Sequence, residues 1–159
     1  MKSLLWLTLV LVGAGVATQP LPGAPNSNAE PPNGLIGAWK LVSLEEPGAD
    51  GQVHRVECDG MFTFTESGKA SVQVMYPTAQ TASAYAKAGY EASFGSYHID
   101  SSSTFTYHIE GALVRTLIGK ELKRSYEISH NRLIVKSTDP NEHWKVVWNA
   151  TRTCGDQDQ

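Results

Sequence analysis

The sequence has few cysteines and none of the short motifs that mark common catalytic or cofactor sites. Only Cys58 and Cys154 are present in 159 residues, so neither a cysteine-rich zinc site nor a Cys-x-x-Cys redox pair is possible. Gly-x-Ser-x-Gly, His-Glu-x-x-His and a glycine-rich phosphate loop are also absent. We therefore predict no catalytic residue, no metal ligands and no cofactor from local motifs.

The chain is also poor in positive charge. It has 13 Lys and Arg residues against 16 Asp and Glu, and a formal net charge of −3. No basic segment interleaved with aromatic residues is present, so nucleic acid is not an expected partner. The hydrophobic content of 41% is ordinary for a globular protein, and the length is that of one domain.

The N-terminus has the three parts of a secretory signal peptide. Lys2 supplies the positive start, residues 4–17 are mostly apolar, and small residues precede a cleavage point after Ala17. The alternative is an uncleaved anchor, but the apolar run is shorter than the ~20 residues that span a membrane. We therefore expect residues 1–17 to be a signal peptide. The mature protein would be exported, periplasmic or secreted, with no stable membrane insertion after cleavage.

Residues 18–33 have the composition of a tether. They contain five prolines with glycine, asparagine and serine between them, and almost no apolar side chains to bury. Such a segment stays extended and solvated. We expect a folded domain at residues 34–154 and a short tail at residues 155–159.

From residue 34 onward the apolar residues alternate with polar ones, and clusters of turn residues separate the alternating segments. This pattern predicts eight or nine short strands in an all-β fold, as a single antiparallel up-and-down barrel of about eight strands. Residues 78–89 break the pattern, because they hold five alanines and end at Gly89. We predict a short helix or lid there.

A Gly-x-Trp sequence ending at Trp39 opens the first predicted strand. Together with later segments, in the same order along the chain, it resembles the lipocalin-like domain proteins, small bacterial and fungal relatives of lipocalins. The segments that carry the resemblance are residues 35–43, 68–75, 89–100, 108–110, 124–128 and 131–133. The resemblance implies an antiparallel barrel with a cavity open at one end for a small apolar or amphipathic molecule. It implies no activity.

The ligand-binding residues are expected among the side chains that alternate toward the barrel interior. Arg124 is in phase with Leu122 and Tyr126, and a charge on this apolar face needs a partner. The partner is either a ligand carboxylate or the ring of Trp39 at the closed end. Arg152 competes for the same stacking position, and Glu45 is the one acidic residue in phase. The predicted ligand-binding residues are Trp39, Phe62, Phe64, Val72, Val74, Arg124 and Tyr126.

Two further functions remain open at this stage. His98, His108 and Glu110 share one face of a predicted hairpin, where they could bind zinc or transfer protons in a barrel isomerase, cyclase or hydrolase. The favoured interpretation is a solvated outer face, because the opposite face is apolar. The third possibility is an envelope protein-interaction module whose barrel is filled by side chains.

A disulfide between Cys58 and Cys154 is expected. Both residues lie in a chain with an export signal, they are its only cysteines, and Cys154 comes just after the last predicted strand. A bridge across a loop of this length contributes about 4–5 kcal/mol in the chain-entropy treatment.

Overall fold

The structure is a computed structural model that describes residues 34–48, 50–78 and 83–151. The predicted signal peptide, the tether, Arg152, Cys154 and the tail lie outside the described residues. No helix in the described ranges is long and apolar enough to cross a membrane.

The described chain contains nine strands and one turn of 3-10 helix at Arg115–Leu117. The strands are β1 (Gly37–Pro47), β2 (Val53–Val56), β3 (Asp59–Phe64), β4 (Lys69–Met75), β5 (Tyr90–Ser101), β6 (Thr104–Ala112), β7 (Glu121–Ser129), β8 (Arg132–Ser137) and β9 (Lys145–Ala150).

The strands form a closed barrel in which all pairs are antiparallel. From β3 to β9 each strand pairs with the next along the chain. β1 pairs with β3 on one edge and with β9 on the other, where Leu41 lies opposite Trp148. β2 pairs only with the last part of β1 and adds a ninth strand beside an eight-stranded barrel. The predicted all-β, up-and-down barrel of about eight strands is confirmed.

Three irregularities bend the strands, one of them between Ile99 and Ser101 where β5 pairs with β6. The pairing of β1 with β9 shifts between Leu41 and Ser43, and the pairing of β5 with β6 shifts between Phe94 and Gly95. Such bulges increase local twist, which a small closed barrel requires. Gly95 has a specific reason to be glycine, because a Cβ atom there would overlap the carbonyl oxygen of His108.

Aromatic rings fill part of the barrel interior. Phe64 contacts Phe105 and Tyr97 edge-on, with ring centroids 5.5 and 5.0 Å apart. Tyr126 lies 5.9 Å from Phe105. Trp39 is buried, and its indole N–H donates to the carbonyl oxygen of Leu35 at 2.8 Å. These side chains form a packed core, and the one polar group of the Trp39 side chain is hydrogen-bonded.

The helix predicted in residues 78–89 is wrong over the part that the structure describes, residues 83–89. These residues form bends and a turn, with an isolated bridge between Lys87 and Tyr90 and a positive φ at Ala88. The preference of alanine for helix is weak, and a helix of about twelve residues is marginal in water. Packing of Tyr85 against the core decides the conformation instead.

The predicted disulfide is not seen. Cys58 is a free, half-buried thiol whose sulfur lies 3.7 Å from the carbonyl oxygen of Val56, and Cys154 is outside the described residues. Burial, with the nearby carboxylates of Glu46, Asp59 and Glu91, raises the pKa of Cys58 to about 11. These conditions disfavour the thiolate, which is the form that reacts in disulfide exchange.

Candidate functional site

The barrel contains a cavity of about 90 Å³ that is partly open to solvent. Inward side chains of β1 and β3–β9 line it, together with residues 83 and 85 of the loop before β5. Its wall is mainly apolar and strongly aromatic. The aromatic lining residues are Phe62, Tyr76, Tyr85, Phe105, Tyr107, Trp144 and Trp148.

The predicted ligand-binding residues are divided between this cavity and the packed core. All seven are buried on the inner face of the barrel, as the alternation predicts. Four of them line the cavity: Phe62, Val72, Val74 and Arg124. The other three, Trp39, Phe64 and Tyr126, are not part of the cavity wall. Alternation gives the face of a strand on which a residue lies, but it does not give the depth along the barrel.

Arg124 is held by two aromatic rings and by a carboxylate. Its guanidinium lies 4.9 Å from the ring centre of Trp144 and 5.5 Å from that of Tyr85. It donates to the hydroxyl of Tyr85 at 2.9 Å and to Ser137 Oγ at 3.2 Å. Glu142 Oε2 lies 3.6 Å from Arg124 Nη1. A buried cation in this position has both a charge partner and stacking partners within the chain.

These contacts differ from those predicted for Arg124. Its stacking partners are Trp144 and Tyr85, whereas Trp39 donates its N–H to Leu35 elsewhere in the core. Glu45, the one acidic residue in phase with Arg124, pairs with Lys145 at 2.5 Å. The true partners come from the loops before β5 and before β9, where no strand alternation relates them to Arg124.

The same carboxylate, that of Glu142, completes the hydrogen-bond network. Ser137 donates to Glu142 Oε2 at 2.6 Å, and the hydroxyl of Tyr85 donates to Glu142 Oε1. Burial alone would raise the pKa of Glu142, but these hydrogen bonds and the charge of Arg124 outweigh it and lower the pKa. Burial, with the hydrogen bond to Glu142, raises the pKa of Tyr85 to about 12. The network therefore holds an ionised Glu142 and a neutral Tyr85.

Glu91 is a cavity carboxyl that the sequence analysis did not identify. It lies on β5 opposite Val74, so its side chain is on the inner face. Burial raises its pKa from 4.5 to about 7, while the charge of Arg124 acts in the opposite direction. Its side chain has no hydrogen bond or ion pair within the described part of the chain. Its alternation with the buried Ser93 is the one signal in the sequence, but within residues 89–93 the face that these two residues share carries no apolar side chain that would mark it as the inner face.

Two other polar groups of the cavity are informative. The carboxyl of Glu46 on β1 also lines it, and burial raises the pKa of Glu46. Trp148 is only 3% exposed, and its buried indole N–H has no hydrogen-bond partner in the described residues. Buried donors of this kind are nearly always paired. The cavity wall thus includes buried indole N–H groups at Trp144 and Trp148 that have no hydrogen-bond partner in the described residues, and two carboxyls that pair with no cation there.

The raised pKa of Glu91 predicts a pH-dependent stability. In the unfolded chain this carboxyl ionises near pH 4.5 and in the folded chain near pH 7. Between these values the folded state holds the extra proton, so the free energy of unfolding falls as pH rises, by about 3 kcal/mol for a shift of this size. Glu91→Gln is expected to remove this fall in urea denaturation measured across the range.

Glu110→Gln is the matched control for this measurement. Glu110 is an exposed carboxyl on neighbouring β6 that pairs with Lys69, and its pKa is lowered by this hydrogen bond. The Glu110→Gln variant is expected to show the same fall in the free energy of unfolding between the two pH values as wild type. An identical pH profile in wild type and Glu91→Gln would contradict the prediction.

His98 and His108 lie on the outer face of the barrel, as the favoured interpretation predicts. His108 pairs with Glu121 at 2.7 Å, and His98 with Asp100 at 3.0 Å. Neither histidine nor Glu110 lines the cavity. Within the described ranges no three His, Cys, Asp or Glu side chains are placed to hold a metal ion.

Comparison with known proteins finds one matching family model and eight matching chains of solved structures. The family model for the lipocalin-like domain matches residues 36–152. A lipocalin-like protein from Bacteroides uniformis ATCC 8492 is 17% identical, with a TM-score of 0.46 over 74% of this chain and 98% of that chain. No curated protein matches. Since the family match spans most of the sequence, the chain belongs to the lipocalin-like domain family.

Proposed function

We propose that this chain is an exported protein that binds one small apolar or amphipathic molecule inside its barrel. The observation that carries the proposal is the cavity, with its aromatic wall and a few polar groups that have no partner. Ligand sites typically combine a mainly apolar surface with a small number of such polar groups. The export step is supported by the composition of residues 1–17 alone.

The volume of the cavity limits the size of the ligand that can enter it. A volume of about 90 Å³ has room for roughly six to nine water-sized centres. The ligand is therefore a small molecule, or a longer one whose inner part occupies the cavity while the remainder extends through the opening. An anionic head group at Arg124 has less support, because Glu142 already balances that charge.

Neither rival function has comparable support. An enzyme that uses His108 or Glu110 would need these side chains in the cavity, whereas both are exposed and paired outside it. An interaction module with a filled barrel would leave no internal space. Binding in the cavity remains the function that the geometry favours.

A matched pair of variants tests the proposal. Val74→Phe adds a ring to the cavity wall, and Gln73→Phe adds the same ring on the outer face of the same strand. Titration with an apolar fluorescent probe is expected to show at least about tenfold weaker binding by Val74→Phe, a difference of about 1.4 kcal/mol. Gln73→Phe is expected to bind as wild type does. Thermal denaturation controls for overpacking, which costs about 1–3 kcal/mol.

Native mass spectrometry of the protein purified from its own cell envelope supplies the second measurement. The expected spectrum has a mass that lacks residues 1–17 and a retained small molecule. Failure of wild type to bind any apolar probe, together with a spectrum free of ligand, would contradict the binding proposal. A full-length mass would contradict signal cleavage.

A further inference from the structure

We propose that the ligand is a small amphipathic amine whose ammonium group pairs with Glu91 and whose apolar body lies among the aromatic rings of the cavity. This inference rests on the proposed binding function and specifies its ligand. The supporting observations are the charge balance of the cavity and the position of Glu91 in its aromatic wall.

The charges that line the cavity do not cancel. Its only cation among the described residues is Arg124, and Glu142 and two aromatic rings already hold that side chain. Glu46 and Glu91 remain without a cation within the described ranges. Charged groups removed from water need a partner of opposite sign or a proton. A positively charged ligand would supply the missing partner.

The surroundings of Glu91 suit an ammonium group. The titratable groups that act electrostatically with it are Arg124 on β7, Cys58 before β3, Tyr76 after β4 and Tyr107 on β6. Three of these are neutral at pH 7, because burial raises the pKa of Cys58, Tyr76 and Tyr107. Arg124 is therefore the one competing cation, and it is engaged elsewhere.

Glu46 and the aromatic wall strengthen the preference for a cation. Glu46 acts on both Tyr76 and Cys58, as Glu91 does, so the two carboxyls lie in the same region of the cavity. Aromatic faces attract cations by about 0.5–2 kcal/mol. An anionic ligand would meet two carboxyls in this region and an arginine that is already paired.

Probes of similar shape that differ in charge separate the effect of charge on binding from the effect of shape. Calorimetric titration of the mature chain compares 2-phenylethylamine with 2-phenylethanol and 3-phenylpropionate, all of which share a phenyl ring. The amine is expected to bind wild type at least about tenfold more tightly than the other two. Its affinity is expected to rise as pH increases through about 7, where Glu91 ionises.

Glu91→Gln keeps the size of the side chain and removes its charge. This variant is expected to lose both the preference for the amine and the rise with pH, and circular dichroism checks that it is folded. Glu110→Gln is expected to keep both. Equal binding of amine and alcohol by wild type, or a preference that survives in folded Glu91→Gln, would overturn the inference and leave the proposed function standing. No binding of any probe would overturn both.

Discussion

Phe105→Ala is expected to lower the free energy of unfolding by about 3–5 kcal/mol, because it removes a fully buried ring that its neighbours cannot replace. Phe105 lies between the packed interior and the cavity. Its ring contacts Phe64 at 5.5 Å and Tyr126 at 5.9 Å on one side, and it lines the cavity on the other. A loss of this size is a large part of the 5–15 kcal/mol typical of a domain.

Phe94→Ala is the control for Phe105→Ala. Phe94 is 59% exposed on neighbouring β5, where its ring covers Gly111. Its removal is expected to cost less than about 1 kcal/mol. Urea denaturation of the two variants and wild type measures the difference. Similar losses in both variants would mean that the interior around Phe105 collapses to fill the space.

Arg124→Ala is expected to lower the free energy of unfolding by about 3 kcal/mol. The change removes the stacking on Trp144 and Tyr85 and leaves Glu142 without its cation. Removal of one member of a fully buried pair costs about 3–5 kcal/mol. The lower value applies here because the side chain of Glu142 is 27% exposed, against 9% for Arg124.

Two further variants separate the sources of this loss. Arg124→Lys keeps the charge but loses the planar group that stacks between the rings, so its loss is expected to be intermediate. Lys123→Ala changes the adjacent outward residue, which lies 3.8 Å from Asp100, and is expected to cost less than about 1 kcal/mol.

The loss in Arg124→Ala is also expected to depend on pH. The pKa of Glu142 is lowered in the folded state, so the stability it contributes is present above its ordinary pKa of 4.5. It is lost as pH falls through the lowered value, and the difference between wild type and Arg124→Ala should shrink in acid. An Arg124→Ala variant of unchanged stability that loses affinity for fatty acids would instead make Arg124 the ligand's head-group partner.

The alternation of apolar and polar residues along the strands was the most informative pattern in the sequence. It predicted that Arg124 faces inward with Val72 and Val74, and the structure buries all three. The pattern works because successive side chains of a strand point to opposite faces, so one residue of known phase fixes the others. It was least informative between strands, where Tyr85, Glu142 and Trp144 supply the contacts of Arg124.

Glu91 shows a different limit. The sequence predicts an interior that is apolar apart from Arg124, and within residues 89–93 no apolar side chain shares the face of Glu91 to mark it as the inner face. The pairing of Glu91 with Val74 places the carboxyl inside. A polar residue at the end of a strand can face either solvent or the cavity, and only the register of the neighbouring strand decides between them.

The sequence by itself determined the antiparallel strands, their order and the family, and it separated the two faces of each strand, because these depend on local periodicity, turn residues and short motifs. Which of the two faces lines the cavity was not determined by the sequence. The tertiary structure alone decided the depth at which Trp39, Phe64 and Tyr126 lie and the partners of Arg124. Barrel closure is the physical reason, since depth depends on the stagger between strands. Closure also brings residues 83–85 into contact with residues 137–144. These segments are too far apart along the chain for a local sequence pattern to predict that they meet.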